Sequence, residues 1–245
     1  MNHPPFAGRP DVLDRRVLFA VELVDPVTQS IVWQGVTVTA PDVQAKPIIS
    51  RSGRFVWLVD QDAWPTTIAV DPGLMPYAAH TQPAPPRPVD ILPVPSAQRL
   101  ARIFLRPTAA YPFDTGATVV RGTLRERVDI PNAAVVPDAI VQLAWHDTLS
   151  DIWTPGRPQA GEVWPRTDAK GEFAALLQLN APPPADPDLD RGLLKVRVQV
   201  TRGPATRATP DSFRFLPNAA DAGRVPEGRL VPTDVTLGWN ELTPI

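Results

Sequence analysis

Apolar and polar residues alternate along this chain with a period of two, in short runs separated by turn residues. Residues 16–24 read RVLFAVELV, which puts Val17, Phe19, Val21 and Leu23 on one face of an extended segment. That period marks a half-buried strand. After the turn chemistry of DPVTQS, the pattern returns around Val36 and Val38, in RFVWLVD with Phe55, Trp57 and Val59, and in the short pieces at 48–50 and 66–70. In the second half, 117–126 and 140–147 predict two strands, the latter with Val141, Leu143 and Trp145 on one face. Phe173, Ala175, Leu177 and Leu179 predict another, and Leu194, Val196, Val198 and Val200 give the most regular alternation in the chain. Phe213 with Phe215, and Val235 with Leu237, predict closing strands.

Short strands at this spacing, with proline and glycine between them, predict an all-β chain made of two antiparallel, Ig-like β-sandwich domains. Composition then suggests where they join. There are 32 prolines among 245 residues, and Pro83 to Pro95 alone holds six of them. Such a run favours stiff, extended polyproline and works as a spacer. The expected organisation is a flexible tail at 1–14, a first sandwich at 15–80, a Pro-rich linker at 81–100, and a second sandwich at 101–245 with a long loop at 147–165. ARIFLRP at 101–107 reads as a strand assignable to either side.

Chemistry is constrained mainly by exclusion. With 24 basic and 26 acidic side chains the net charge is −2, which does not suit a nucleic-acid surface. Without cysteine there are no disulfides and no thiolate ligands or nucleophiles. The N-terminus is polar and proline-rich, and no apolar run approaches membrane-spanning length, so neither secretion nor membrane insertion is expected and the location is read as cytoplasmic. The three histidines, His3, His80 and His146, are scattered, so no metal and no cofactor is expected. His146-Asp147 could be half of a base and orienter pair, but no Ser sits in a G-x-S-x-G elbow, and no catalytic residue is assigned. Asp186, Asp188 and Asp190 have the alternate spacing of a calcium loop's start, yet Arg191 stands where the turn glycine belongs and Arg197 where the bidentate acid belongs. A solvated turn is the expectation there.

The two halves are alike at one point. Arg51-Ser52-Gly53-Arg54-Phe55 introduces the Trp57 strand, and Asp168-Ala169-Lys170-Gly171-Glu172-Phe173 introduces the Leu177 strand. In each, a polar turn leads to a glycine, one residue, and an inward aromatic. In the second half, VRGTL at 120–124 and PDAIVQL at 137–143 precede this turn. That order resembles the carboxypeptidase-regulatory-like domains, prealbumin-like sandwiches, over residues 116–202, with 16–72 as a degenerate copy. The resemblance implies an accessory structural or binding module without its own active site.

The candidate interaction site is the 147–165 segment. Long loops in compact domains are disproportionately functional, and Trp153, Pro155, Arg157 and Trp164 could anchor a protein contact or stack on a sugar ring. A loop folded back over its own sandwich is the competing expectation. The chain is therefore expected to be a non-enzymatic structural or adaptor protein of a large assembly, by analogy a phage-tail-like or contractile injection particle. Its partners would be other structural proteins or further copies of itself. The alternative is a carbohydrate- or ligand-binding β-sandwich module using Trp153 and Trp164.

Overall fold

The computed structural model describes residues 17–58, 64–85, 96–147, 150–159, 161, 163–179, 192–215, 222–231 and 234–245. Among them the regular structure is β-strand with short 3-10 turns, in two sandwich-like units with separate cores. No helix among the described residues is long and apolar enough to cross a membrane. The expected tail at 1–14 and Asp186, Asp188 and Asp190 lie outside the described residues.

The first unit contains β1 (Val17–Val24), β2 (Thr37–Thr39), β3 (Ile48–Ile49), β4 (Phe55–Leu58), β5 (Thr67–Asp71), β6 (His80–Pro83) and β7 (Leu100–Phe104). One sheet runs β3-β4-β1-β7 and the other β2-β5-β6. The second unit contains β8 (Thr118–Arg125), β9 (Ile140–Asp147), β10 (Ile152–Pro155), β11 (Glu172–Leu177), β12 (Leu193–Arg202), β13 (Ala205–Ala208), β14 (Arg224–Pro226), β15 (Val235–Gly238) and β16 (Thr243–Pro244). Its sheets run β11-β8-β15 and β10-β9-β12-β13-β16, with β14 also on β12.

The two units share a wiring plan that one local motif had hinted at. β1 pairs antiparallel with β4 and parallel with β7, and β8 pairs antiparallel with β11 and parallel with β15. Each sandwich thus has one parallel pair, where only antiparallel pairs were expected. Gly53 and Gly171 both have φ +75°. Around them, the Gly53 N–H donates to the Ser50 carbonyl and Gly171 N–H to the Asp168 carbonyl. Ser50 Oγ accepts the Arg54 N–H at 3.1 Å and Asp168 Oδ1 the Glu172 N–H at 2.9 Å. A side-chain oxygen caps the same turn in both units, and glycine supplies the left-handed residue. Phe55 and Phe173 then enter the two cores, opposite Val21 and Gly122.

Volume is exchanged between equivalent positions. Val21 faces Ala101 on β7, whereas Gly122 faces Val235 on β15. A Cβ on Gly122 would lie 2.2 Å from the Val235 carbonyl oxygen and 3.0 Å from the Phe173 ring. The larger side chain sits on the central strand in one unit and on its neighbour in the other, which preserves packing density.

The domain limits differ from the expected ones. β6 is hydrogen-bonded to β5 and β7 to β1, so the Pro-rich stretch joins two strands of the first unit and is not a spacer between units. Tyr111 belongs to the first core and Phe113 packs against it, while β8 opens the second. The chain therefore crosses between units after Phe113, not at 81–100. Proline density marks where main-chain donors are scarce, and a crossover leading to a last strand meets that condition as well as a linker does. The 147–165 segment also contains a strand, β10, which adds to the edge of β9.

Phe173→Ala is expected to cost about 3–5 kcal/mol, as truncation of a fully buried aromatic. Gly122→Ala is expected to destabilise the same unit by forcing β15 away from β8. Urea unfolding of each variant measures both effects.

Candidate functional site

The four residues singled out in the 147–165 segment do not form one platform. Trp153 lies on β10 opposite His146, with its ring 5.0 Å from the imidazole and 4.6 Å from the Arg197 guanidinium. These groups, with Lys195 at 5.4 Å, occupy the sheet face opposite the core-facing Leu143, Trp145 and Val196. Pro155 is exposed on the same strand, and Arg157 is exposed while its N–H donates to the Gln178 carbonyl. Trp164 sits at the other end of β9, where the next residue, Pro165, accepts the Val141 N–H. Val141 to His146 spans roughly 16 Å of strand, so the two indoles serve different surroundings. His146 Nε2 meets Asp151 Oδ1 at 3.0 Å, and Asp147 accepts from the Ser150 hydroxyl at 2.6 Å.

Between Arg157 and Arg166 the chain folds back onto the first unit. The Gln159 N–H donates to the Val163 carbonyl, closing a small turn. At its tip, Gly161 has φ +74° and rests on Phe104, such that a Cβ there would lie 2.0 Å from a ring carbon. A side chain at 161 is excluded both by conformation and by space. Arg121 adds a second tie, donating to the Tyr111 carbonyl at 2.6 Å with its guanidinium 5.9 Å from the Phe113 ring.

This docking encloses a groove of about 320 Å³. His80, Gln82, Arg102, Phe104 and Arg106 line it from the first unit, and Val163, Trp164 and Arg166 from the second. Arg102 is partly neutralised by Glu22 at 2.9 Å and Arg166 by Asp138 at 2.9 Å. Arg106 has no ion-pair partner among the described residues. Because Glu22 is shared between Arg102 and Arg54, the groove keeps an excess of positive charge. Burial pushes the half-buried His80 imidazole below its usual value, and the Arg106 charge acts in the same direction, so at neutral pH His80 is an uncharged hydrogen-bonding group. Among the described residues no group of three or more His, Asp or Glu is placed to hold a metal ion. The groove residues come from segments far apart in sequence. Only Trp164 was singled out beforehand, because no local pattern announces a contact between units.

Two buried carboxylates brace the first unit next to this groove. Glu22, 1% exposed, is held by Arg54 at 2.8 Å and Arg102 at 2.9 Å. Asp25 accepts both of the chain's tyrosine hydroxyls, Tyr77 at 2.9 Å and Tyr111 at 2.5 Å, and the Val27 and Thr28 N–H groups. Burial alone would raise both carboxyls, but the Arg54 and Arg102 hydrogen bonds and charges outweigh it at Glu22. At Asp25 the Tyr111, Val27, Tyr77 and Thr28 donors do the same. Burial and the Asp25 carboxylate push both tyrosine hydroxyls above their usual range.

Comparison with known proteins adds little to this picture. No protein-family model matches the chain, so none supports the resemblance to carboxypeptidase-regulatory-like domains, and no curated protein matches. Among solved structures, the chain is similar to a streptococcal ancillary pilin, with TM-score 0.28, 11% identity, and coverage of 93% of this chain and 62% of that one. It is also similar to the Bacillus anthracis TIE protein, with TM-score 0.23, 9% identity, and coverage of 91% of this chain and 34% of that one. The chain spans less than two thirds of either structure's length, and at these TM-scores neither likeness carries a conclusion about it.

Because both carboxyls are held low in the folded chain, their stabilisation is present above their ordinary values of 4.5 for Glu22 and 3.8 for Asp25, and is lost as the pH falls through and below them. Urea midpoints should therefore drop on acidification through that range, with a shallower drop in Glu22→Gln. At pH 7, Tyr111→Phe should cost about 1.5–3 kcal/mol, the worth of a hydrogen bond to a charged group.

Proposed function

We propose that this chain is a non-enzymatic structural or adaptor protein of a large, cytoplasmically assembled complex, of the phage-tail-like or contractile injection kind. The observation that carries this reading is the state of the sheet edges. β3 is a two-residue edge strand whose Ile48 and Ile49 are 53% and 49% exposed, and β10 ends another sheet with Ile152 57% exposed. Open edges bearing apolar side chains are templates for pairing with another chain. The duplicated sandwich, with its glycine-x-aromatic turns, supports the implication of an accessory module akin to the carboxypeptidase-regulatory-like domains. A glycan platform shared by Trp153 and Trp164 is not carried forward, because those rings face different surroundings.

The direct test is the native mass of the protein in the lysate of its own cell, separated gently and followed by identification of what migrates with it. Migration in a megadalton fraction, with repeated copies of other structural proteins, is the expected result. Migration as a free 26.7 kDa chain would overturn the proposal. Ile48→Lys with Ile49→Lys should shift the protein out of the high-mass fraction without lowering its free energy of unfolding, measured with urea, by more than about 0.5 kcal/mol, since both side chains are exposed.

A further inference from the structure

Among the described residues, the floor of the groove between the units is an unpaired strand edge. β7 is the last strand of its sheet, and no described strand pairs with its outer side. Leu105 N–H donates inward to the Val24 carbonyl at 2.9 Å, whereas the Arg106 carbonyl accepts the Ala78 N–H on the opposite side at 2.7 Å. Main-chain groups of successive strand residues point to alternate sides. Arg102 and Phe104, in step with Arg106, therefore turn their N–H and C=O groups away from β1 and toward the groove. Ile103, between them, is 1% exposed and turns its main-chain groups to β1, so the edge is offered by Arg102 and Phe104 on either side of it. Because Ala78 already holds the Arg106 carbonyl, the open edge runs from Arg102 to Phe104, roughly 7 Å and enough for about three residues of extended chain.

The side chains above that edge set the chemistry of what can lie on it. Arg106 is unpaired among the described residues and Arg166 faces it across the groove, its Nη1 shared with the Asp138 side chain and carbonyl. A guanidinium fork recognises a carboxylate best, and an extended segment with acidic residues at alternate positions presents its carboxylates on one face. We propose that an extended, carboxylate-bearing segment of a partner protein adds to the open edge of β7, with its acidic side chains on Arg106 and Arg166. This is strand addition, in which main-chain hydrogen bonds give affinity and alternate side chains give specificity. It rests on the reading of the chain as an assembly component and states the chemistry of one of its contacts. The groove exists because the Gly161 turn docks on Phe104, so the site belongs to both units together.

The test uses the full chain and a capped, fluorescein-labelled octapeptide of alternating glutamate and valine, with binding read by anisotropy at low salt. Arg106→Gln should weaken binding about tenfold, the loss expected for one charge-assisted contact. Arg166→Gln should weaken it in the same direction, and Arg51→Gln, in an exposed turn elsewhere, should leave it unchanged. A glutamine-valine peptide, and a glutamate-valine peptide with alternate main-chain nitrogens methylated, should each lose binding. Retained affinity of the methylated peptide would overturn strand addition, and indifference to both arginine variants would overturn the groove as the site. Absence of peptide binding would overturn the proposal, as would displacement of the peptide by oligogalacturonate, which would assign the arginines to an acidic glycan. A chain that migrates in a high-mass fraction yet ignores the peptide overturns the groove alone. A free monomer that binds it through Arg106 supports the groove and overturns only the assembly reading.

Discussion

Each half of the molecule is organised by a central strand with an antiparallel neighbour on one edge and a parallel neighbour on the other. β1 lies between β4 and β7, and β8 between β11 and β15. The central strand must therefore accept an antiparallel neighbour delivered by a capped glycine turn and a parallel neighbour delivered by a long crossover. Parallel pairing cannot be reached by a hairpin and needs a connection of many residues. In the first unit that connection contains β6 and the proline-rich stretch, and in the second it contains the β12–β14 region. The burial of Phe55 and Phe173 follows from the same arrangement, because the turn sets the face on which each aromatic enters.

The first unit is further closed by side chains that converge on the end of β1. Tyr77 and Tyr111 reach Asp25 from 52 and 86 residues away. This ties the turn after β1 to the segments before β6 and after β7, and leaves no buried oxygen of Asp25 to depend on one donor. Glu22, three residues earlier, draws Arg54 and Arg102 over the sheet's outer face. Arg102 thereby becomes part of the groove wall in a fixed position, since a carboxylate with two partners is harder to abandon than one with a single partner.

The period-two runs made most strand positions readable, because a one-residue slip would turn a whole face from core to solvent. The glycine-x-aromatic turn was readable in both halves for the same local reason. The boundary was not, since β7 carries nothing in ARIFL that distinguishes pairing with β1 from pairing with β8. Its partner is decided by register and crossover geometry far away in sequence. Of Trp33, Trp57 and Trp145, which the strand patterns place in the core or on a sheet face, Trp57 and Trp145 are buried but Trp33 is 41% exposed and in no strand, while Trp153 and Trp164 are half-buried. Their separation at opposite ends of β9 depends on β10 forming inside what looked like one loop. The groove arginines had no local signal at all, because Arg102, Arg106 and Arg166 become neighbours only when the units dock.

The two sandwiches hold one arrangement, set by the Gly161 turn on Phe104, and this arrangement creates the groove. The absence of cysteine makes a direct measurement possible. Spin labels on Thr39→Cys and Lys170→Cys, both exposed and one in each unit, report the distance between units by pulsed electron resonance. A single narrow distance distribution, broadened in the added presence of Gly161→Ala, is the predicted result. A broad distribution in the parent chain, or one that Gly161→Ala leaves unchanged, would contradict it.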